Sequence, residues 1–429
     1  MYRLARCAAL EAQRAYNFEL GHTTRRFVPE DTWDSLHDGL MAGPRLESAL
    51  HHMQKSYQDR NIREYELTKH FSLRLHFPLE FMRLKATGRC EIELPEWMFD
   101  LDYPGQYMRR IRSISFTIPC VTGPYTGVHC RATLLSSRTR IDPRLEVPPT
   151  RCCCESSAAE GYEACPHDRR VVRTYGAREA IATSSGQSDS GLFELSFRDE
   201  RYLPFEFHGA VSRWRIELPP ENNYFPMESL TDVVMLVNYT SREGGDRLRQ
   251  AASEVAQRHL PGAGWCFFDV RHEFPDAWQL LRNARDGRVP ARLNLRLERR
   301  MFPFIPGACE LSIDRVAILF STPRPDCDDR LQIGACPCPQ EEGYGSHTIE
   351  VTHGSQPRRS EPLRLACEAS EEWPGLFCGV FDTQLGPLGR PAEFRPEMSF
   401  RFPEMTGEVE NVYLLCQYKR TSMRRPEHA

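Results

Sequence analysis

The 429-residue sequence lacks any apolar run long enough to cross a membrane. A transmembrane helix needs about 18 or more consecutive apolar residues, and no segment reaches that length. The first residues, Met1 to Cys7, also lack the apolar core of a secretion signal. We therefore expect neither a membrane span nor an ordinary secretion signal within this chain.

A basic excess is missing as well. Lys plus Arg (55) against Asp plus Glu (59) leaves a net charge of −4, whereas duplex-binding proteins usually carry a strong positive charge. Nucleic acid is therefore excluded as a first choice of partner. Lysine is scarce, with only Lys55, Lys69, Lys85 and Lys419, and we attribute the preference for Arg to genomic base composition.

The 16 cysteines lack the regular spacing of a secreted disulfide framework. One group lies in or beside apolar strand-like runs, where Cys packs as a small hydrophobe: Cys90, Cys120, Cys130, Cys266, Cys367, Cys378 and Cys416. The other group lies in Pro/Gly/acid-rich loops: Cys152, Cys153, Cys154, Cys165, Cys327, Cys336 and Cys338. Zinc could use the latter with His167 or His347, but the paired Cys-x2-Cys spacing is absent, so loop disulfides or free thiols are favoured.

What is present begins with helical patterns. Residues 4–19 are rich in helix formers, and Asp31 is a candidate N-cap for a short helix reaching Leu40. A further helix carries an apolar stripe at helical spacing: Leu46, Leu50, Met53 and Tyr57. These patterns predict a helical segment over residues 1–88.

From about residue 89 the apolar period changes to two. The alternating sets are Ile114, Phe116 and Ile118; Trp214, Ile216 and Leu218; Leu293, Leu295 and Leu297; and Met398, Phe400 and Phe402. Thirty-two prolines, spread along the chain, separate these runs. Short half-buried strands divided by turns are typical of β-sandwiches, so we predict a mainly β fold.

The β material also repeats. Ile111, Ile114 and Phe116 match Ile313, Val316 and Ile318 at a constant offset of 202 residues. Residues 230–236 resemble 409–415. We therefore expect two related antiparallel β-sandwich-like units, joined by a short helical insert.

Catalytic motifs are weak. The polar run Ser184 to Gly191, with Asp189 at its centre, lacks the Gly-x-Ser-x-Gly elbow of hydrolases and fits a hairpin turn. Three acidic clusters could in principle be glycosidase carboxylate pairs or calcium loops: Glu96, Asp100 and Asp102; Asp326, Asp328 and Asp329; and Glu341 and Glu342. None has calcium-loop spacing, and solvated acidic turns are commoner. No phosphate-cradling loop with a following Lys is present. The sequence predicts no enzyme, no cofactor and no metal.

Two loops carry large apolar residues between prolines: Arg201 to His208 and Phe302 to Pro306. Aromatic residues of this kind anchor protein interfaces, but they also plug the ends of sandwiches. Both readings stay open at this stage.

A succession of motifs resembles a known family. It consists of Asn61 to His70, Asp102 to Ile111, Gly123 to Tyr125, Thr183 to Gly191 and Phe197 to Glu206. This order is similar to the C-terminal, TcB-binding region of the A subunit (TcA) of Tc insecticidal toxin complexes. The resemblance covers most of residues 1–245, and residues 246–420 resemble an extension found in some members.

The resemblance implies an assembly role without catalysis. In the family, TcA forms a pentameric, largely helical channel, the C-terminal domain docks the TcB–TcC cocoon, and members act extracellularly after release. It implies that the helical segment 1–88 is a stem from the channel and that the sandwich at 89–245 is TcB-binding-like. The residue patterns themselves predict the helical insert at 246–290 and the second sandwich-like unit at 291–420. Expected partners are TcB- and TcC-like proteins and copies of the chain itself through the helical segment. The interface residues are not assigned.

An alternative reading, drawn from the duplicated β units and their aromatic loops, is a stand-alone carbohydrate- or receptor-binding sandwich protein. A hydrolase built on Ser184 to Asp189 is the third reading.

Overall fold

Antiparallel strands form most of the secondary structure in the computed structural model of this protein, as the mainly β prediction expected. The structure describes residues 2–22, 25–29, 41–123, 127–145, 162, 168, 170–183, 192–196, 203–260, 262–283, 291–303, 309–322, 347–354, 362–385, 397–402 and 409–422. Among the helices in these ranges, none is both long enough and apolar enough to span a bilayer.

The chain begins with two packed helices, α1 (Tyr2–Leu20) and α2 (Ala42–Arg60), which we call the stem pair. Their small core joins Ala9, Val28 and Leu46. The apolar stripe predicted on α2 therefore finds its partner in α1. The short helix predicted from Asp31 lies outside the described residues.

The prediction of a helical segment over 1–88 is wrong in its middle. Residues Tyr65–Ser72 form strand β1, which is followed by the helices α3 (Leu73–His76) and α4 (Pro78–Thr87). The alternation in β1 is hidden because Lys69 occupies a core-facing position. Its ammonium is buried and lies 2.5 Å from a carboxylate oxygen of Asp102.

The first sandwich has two four-stranded antiparallel sheets with the orders β1-β8-β3-β6 and β2-β7-β4-β5. Its remaining strands are β2 (Arg89–Leu94), β3 (Gln106–Pro119), β4 (His129–Arg140), β5 (Val171–Thr183), β6 (Leu192–Ser196), β7 (Val211–Glu217) and β8 (Val234–Glu243). A short helix, α5 (Glu96–Asp100), links β2 to β3. The inward side chains predicted from alternation, including Ile114, Phe116, Trp214 and Ile216, are buried.

After helix α6 (Asp246–His259) comes the second sandwich. It consists of β9 (Ala263–Asp269), α7 (Val270–Glu273), α8 (Pro275–Asn283), β10 (Ala291–Arg296), β11 (Cys309–Ser321), β12 (His347–Gly354), β13 (Leu363–Ala369), β14 (Phe377–Leu385), β15 (Glu397–Phe402) and β16 (Asn411–Ser422). The predicted helical insert 246–290 is corrected here, because β9 within it is a strand of this sandwich.

The strand order of the first sandwich recurs in the second. The orders β9-β16-β11-β14 and β10-β15-β12-β13 result from adding eight to every strand number of the first sandwich. In the second sandwich, pairing of β13 with β14 makes the two sheets continuous. Each unit has the double-sheet, eight-strand order of a jelly roll.

Strand register reproduces the repeat found in the sequence. Phe116 pairs with Met235, and Ile318 pairs with Leu414. Ile318 follows Phe116 by 202 residues, and Leu414 follows Met235 by 179 residues. These are the offsets of the two sequence matches. A register irregularity also follows Ile111 and its counterpart Ile313. The duplication therefore extends to the pairing of individual residues.

The structure reveals a further repeat between the two sandwiches. Residues 71–78, Phe-Ser-Leu-Arg-Leu-His-Phe-Pro, correspond to residues 268–275, Phe-Asp-Val-Arg-His-Glu-Phe-Pro, at a constant offset of 197. In both copies a four-residue helix ends at the Phe, with φ of −136° at Phe77 and −128° at Phe274. The Arg-x-x-Phe-Pro pattern was the available signal.

The two sandwiches pack against each other through α4. Its Phe81 meets Phe267 of β9 edge to face, with ring centroids 5.4 Å apart. Tyr413 and Leu415, on the outer face of the sheet β9-β16-β11-β14, belong to the same apolar cluster as the core of the first sandwich. Ion pairs flank this contact, including Arg74 Nη1 and Glu273 Oε1 at 3.1 Å.

Candidate docking surface

The stem pair is fixed to the first sandwich by two buried arginines. Arg110 donates to the Glu19 carbonyl at 2.7 Å, and Arg242 donates to the same oxygen at 3.0 Å. This carbonyl lies in the last turn of α1, where the negative end of the helix dipole favours cations. Glu64 Oε1 lies 3.0 Å from donor nitrogens of both arginines. The end of the helix and the sandwich therefore share one buried ionic cluster.

Close packing sets where α1 ends. Gly21 has φ +74°, and a Cβ there would lie 2.8 Å from Met108 Sδ. Met108 itself is buried with φ +52°. Because the left-handed conformation favours glycine, the direction in which the stem leaves the sandwich is set at this residue.

The loop predicted as either plug or interface holds one buried and one exposed phenylalanine. Phe205 is buried against Trp214, with ring centroids 4.8 Å apart, and plugs the sandwich. Phe207 is 56% exposed and meets the exposed Phe18 of α1 edge to face at 6.4 Å. The Arg110 guanidinium lies 5.5 Å from the Phe18 ring centroid. Arg201 and Tyr202 lie outside the described residues.

In the second predicted loop, Phe302 is buried between Phe268 and Tyr418, with centroids at 5.5 and 5.6 Å. It therefore plugs its sandwich. Residues 304–306 lie outside the described part of the chain.

Strand β5 forms an exposed edge. In the part of the chain that the structure describes, β5 ends its sheet and pairs with β4 alone. It carries three exposed apolar side chains: Val172, Tyr175 (74% exposed) and Ile181 (60% exposed). A long edge strand with apolar side chains offers unpaired backbone groups to another chain, and Tyr is a frequent interface anchor. This edge and the Phe18–Phe207 pair are the candidate docking surfaces.

The acidic residues weighed as a catalytic pair or calcium loop form buried ion pairs instead. Arg109 donates to Asp100 at 2.6 Å, and Arg140 makes two bonds to Glu96 at 2.7 and 2.8 Å. Burial raises the pKa of the Asp100 carboxyl, although Arg109 opposes the shift. Among described residues, no three His, Cys, Asp or Glu side chains are grouped to hold a metal. The cluster holds α5 against β3 and β4.

The cysteines near strands pack as predicted. Cys90, Cys120, Cys130, Cys266, Cys367 and Cys416 are buried free thiols, and Cys378 is half-buried. Burial raises the pKa of the Cys130 and Cys367 thiols to about 12, so they remain protonated at neutral pH. The loop cysteines proposed for zinc or disulfides, with His167, and the Ser184–Gly191 run lie outside the described residues, as do the acidic clusters at 326–329 and 341–342. His347 begins β12 and packs on Phe377.

Known proteins share the first part of this chain. A family model described as the Tc toxin complex TcA C-terminal TcB-binding domain matches residues 1–241. The toxin subunit YenA2 of Yersinia entomophaga is 35% identical over 259 residues, which cover 59% of this chain and 18% of YenA2. The chain thus spans about a fifth of the length of that relative.

Two cryo-EM structures are also similar. Morganella morganii TcdA4 is 23% identical with a TM-score of 0.33, and the likeness covers 54% of this chain and 10% of that one. Yersinia pseudotuberculosis TcaA-TcaB is 21% identical with a TM-score of 0.30, covering 49% of this chain and 12% of that one.

Proposed function

This chain belongs to the family of Tc toxin complex TcA C-terminal TcB-binding domains, and we propose from that membership that it docks a TcB-like β-propeller component in a Tc toxin assembly. The observation that carries the proposal is the match over residues 1–241, which takes in the stem pair and almost all of the first sandwich. The first sandwich is the docking platform, and the stem pair is the end of a channel-forming helical region.

The edge strand β5 is the proposed contact. Tyr175 and Ile181 supply apolar anchors, and the free edge supplies backbone donors and acceptors for strand addition. The buried ionic cluster of Arg110, Arg242 and Glu64 supports this role because it holds the stem in a fixed direction relative to the platform.

Biolayer interferometry with a cognate TcB–TcC protein tests the proposal. We expect association of the wild-type chain, and Ile181→Arg should weaken it by about tenfold or more because an interface anchor is replaced by a charge. No association at micromolar concentration would count against docking itself.

A control is Leu280→Arg on α8 of the second sandwich, which replaces another exposed apolar side chain by a charge. It should leave binding unchanged. Equal loss in both variants would move the contact away from β5.

The stem pair is also proposed to associate with copies of itself. Its core is small, and Leu4 remains 73% exposed on α1. Sedimentation velocity should reveal an oligomer that Leu4→Glu dissociates, and a monomer at all concentrations would contradict it.

We also assign the chain no catalytic activity. The charged residues that a catalytic reading would use, Glu96 and Asp100, are held in buried pairs with Arg140 and Arg109. A hydrolase screen should find no turnover. Activity that disappears in Asp189→Ala would refute this assignment.

A further inference from the structure

The outer face of the sheet β10-β15-β12-β13 in the second sandwich bears a cavity of about 740 Å³. It is lined by Arg292, Arg296, Arg401, Glu350, Asn294 and Ser399, among others. This volume lies within the range of small-molecule and oligosaccharide pockets, about 300–1,000 Å³.

Sheet alternation places these polar side chains outward. In β10, Leu293 and Leu295 are buried in the core, while Arg292, Asn294 and Arg296 between and beside them are exposed. The arginine face is therefore a direct product of the two-residue period of the strands.

Strand register brings like charges together on this face. Arg292 stands directly opposite Arg401, which stands opposite Glu350, which stands opposite Arg364. One row across the sheet thus holds three guanidinium groups and one carboxylate. Within the described row, Arg401 Nη1 pairs with Glu350 Oε2 at 3.1 Å.

One of the three neighbouring pairs in this row, Arg292 with Arg401, sets like charges opposite each other, while Glu350 stands between Arg401 and Arg364. Like charges placed directly opposite each other in a sheet are destabilising. The same face of the first sandwich, on the sheet β2-β7-β4-β5, shows the compensated alternative. There Glu91 pairs with Arg213 and Arg215, both at 2.7 Å, and Arg131 pairs with Glu179 at 2.8 Å. The second copy of the fold therefore sets Arg292 opposite Arg401, whereas the first copy sets Arg213 opposite Glu93 and Arg215 opposite Glu91.

The neighbouring row is polar and uncharged. Asn294 stands opposite Ser399, which stands opposite Thr352. Amide and hydroxyl groups both donate and accept hydrogen bonds, which suits the hydroxyls of a sugar. The planar guanidinium fork suits a carboxylate or sulfate.

From this arrangement we propose that the outer face of the second sandwich binds an acidic oligosaccharide, with its carboxylate or sulfate groups on the arginine row and its hydroxyls on the Asn294–Ser399–Thr352 row. The overall charge of −4 disfavours a long polyanion such as duplex DNA, whereas a short charged sugar contacts the face alone. This site lies beyond residue 241 and is independent of the docking role proposed for the first sandwich.

Isothermal titration calorimetry of the full chain tests the site with four probes: a heparin hexasaccharide (sulfated), a trigalacturonate (carboxylated only), maltohexaose (neutral) and a 12-base-pair DNA duplex. We expect binding of at least one acidic sugar, weakening with added NaCl, and none of maltohexaose. The sulfated and carboxylated probes identify which anion is recognised. Absence of binding to both acidic sugars, or equally tight binding of DNA, would overturn the proposal.

Variants locate the binding. Arg292→Gln should weaken it by about tenfold, and Arg292→Gln with Arg401→Gln by more, since charge-assisted hydrogen bonds are lost. The matched control, Arg213→Gln with Arg215→Gln on the first sandwich, should leave it unchanged. Because Arg292→Gln relieves a like-charge contact, its thermal midpoint should stay equal or rise. A lowered midpoint together with lost binding in both Arg292→Gln and Arg292→Lys would assign Arg292 a structural role and contradict the proposal.

Discussion

Lys85 Nζ of the first sandwich lies 3.2 Å from Asp269 Oδ2 of the second, and both side chains are almost fully buried. The ammonium also lies 4.8 Å from the Tyr413 ring centroid and donates to the Leu230 carbonyl at 3.1 Å. One cation thus connects α4, the loop before β8 and two strands of the other sandwich.

Removing this cation should destabilise the contact between the sandwiches. Lys85→Met leaves the Asp269 carboxylate buried without its lysine partner, and the expected loss is about 3–5 kcal/mol of unfolding free energy. Lys85→Met combined with Asp269→Asn should recover part of that loss, since no unpaired charge remains. Urea unfolding of the two single variants and the double variant measures the coupling, and strictly additive losses would contradict it.

The stem should loosen when its ionic connection is cut. Arg242→Met removes hydrogen bonds to the Glu19 and Leu20 carbonyls, worth about 1.5–3 kcal/mol as charged hydrogen bonds. Amide hydrogen exchange in residues 2–20 should accelerate while the strands of the first sandwich stay protected. Arg14→Met, on the exposed side of α1, is the control. Unchanged exchange in α1 would show that the connection does not hold the helix.

The left-handed backbone conformation of Phe207 should lower the stability of the fold. With φ +65°, it occupies a left-handed conformation that is unfavourable for a large side chain by about 1 kcal/mol or more. Phe207→Asn should therefore leave the unfolding free energy unchanged or raised. Phe205→Asn, in the buried plug, should lower it by about 3 kcal/mol or more. A large loss in Phe207→Asn would mean that its contact with Phe18 stabilises the fold more than the backbone strain costs.

Stability should fall as the solution becomes mildly acidic. Burial lowers the pKa of His76 from its ordinary value of 6.5, with the bond to the Ser72 carbonyl opposing the shift. The unfolded chain then binds a proton more readily than the folded one, so the contribution of His76 is present above pH 6.5 and is lost as pH falls through the folded pKa. Thermal midpoints between pH 7.5 and 5 should decline less steeply in His76→Gln. His51→Gln on the stem serves as control, and parallel curves for all three proteins would contradict the assignment.

Much of the fold could be predicted from local pattern. The alternation around Phe116, Trp214, Leu293 and Phe400 identified strands because one face of each meets a core. The constant offsets identified the repeat because each copy keeps its register. Strand β1 was missed because Lys69 stands at an inward position and interrupts the apolar period.

The surfaces were harder to predict, since they depend on pairings between distant segments. Arg292 and Arg401 are 109 residues apart, and only the pairing of β10 with β15 sets them opposite each other. Similarly, nothing local in Val171–Thr183 indicates that β5 has one neighbour instead of two among the described strands. The sandwich plugs Phe205 and Phe302 could be named as candidates, but their burial required the three-dimensional arrangement.

The position of β1 beside β8, and of β9 beside β16, has an evolutionary consequence. The chain enters and leaves each jelly roll on adjacent strands. The first and last strands of each unit therefore lie side by side, which makes the unit a self-contained cassette. A second cassette can be appended after β8 without separating any strand pair of the first. Once appended, its outer face can change without disturbing the strand pairs of the first unit. The outer faces of the two copies do differ, with Arg292 opposite Arg401 on one and Arg215 opposite Glu91 on the other.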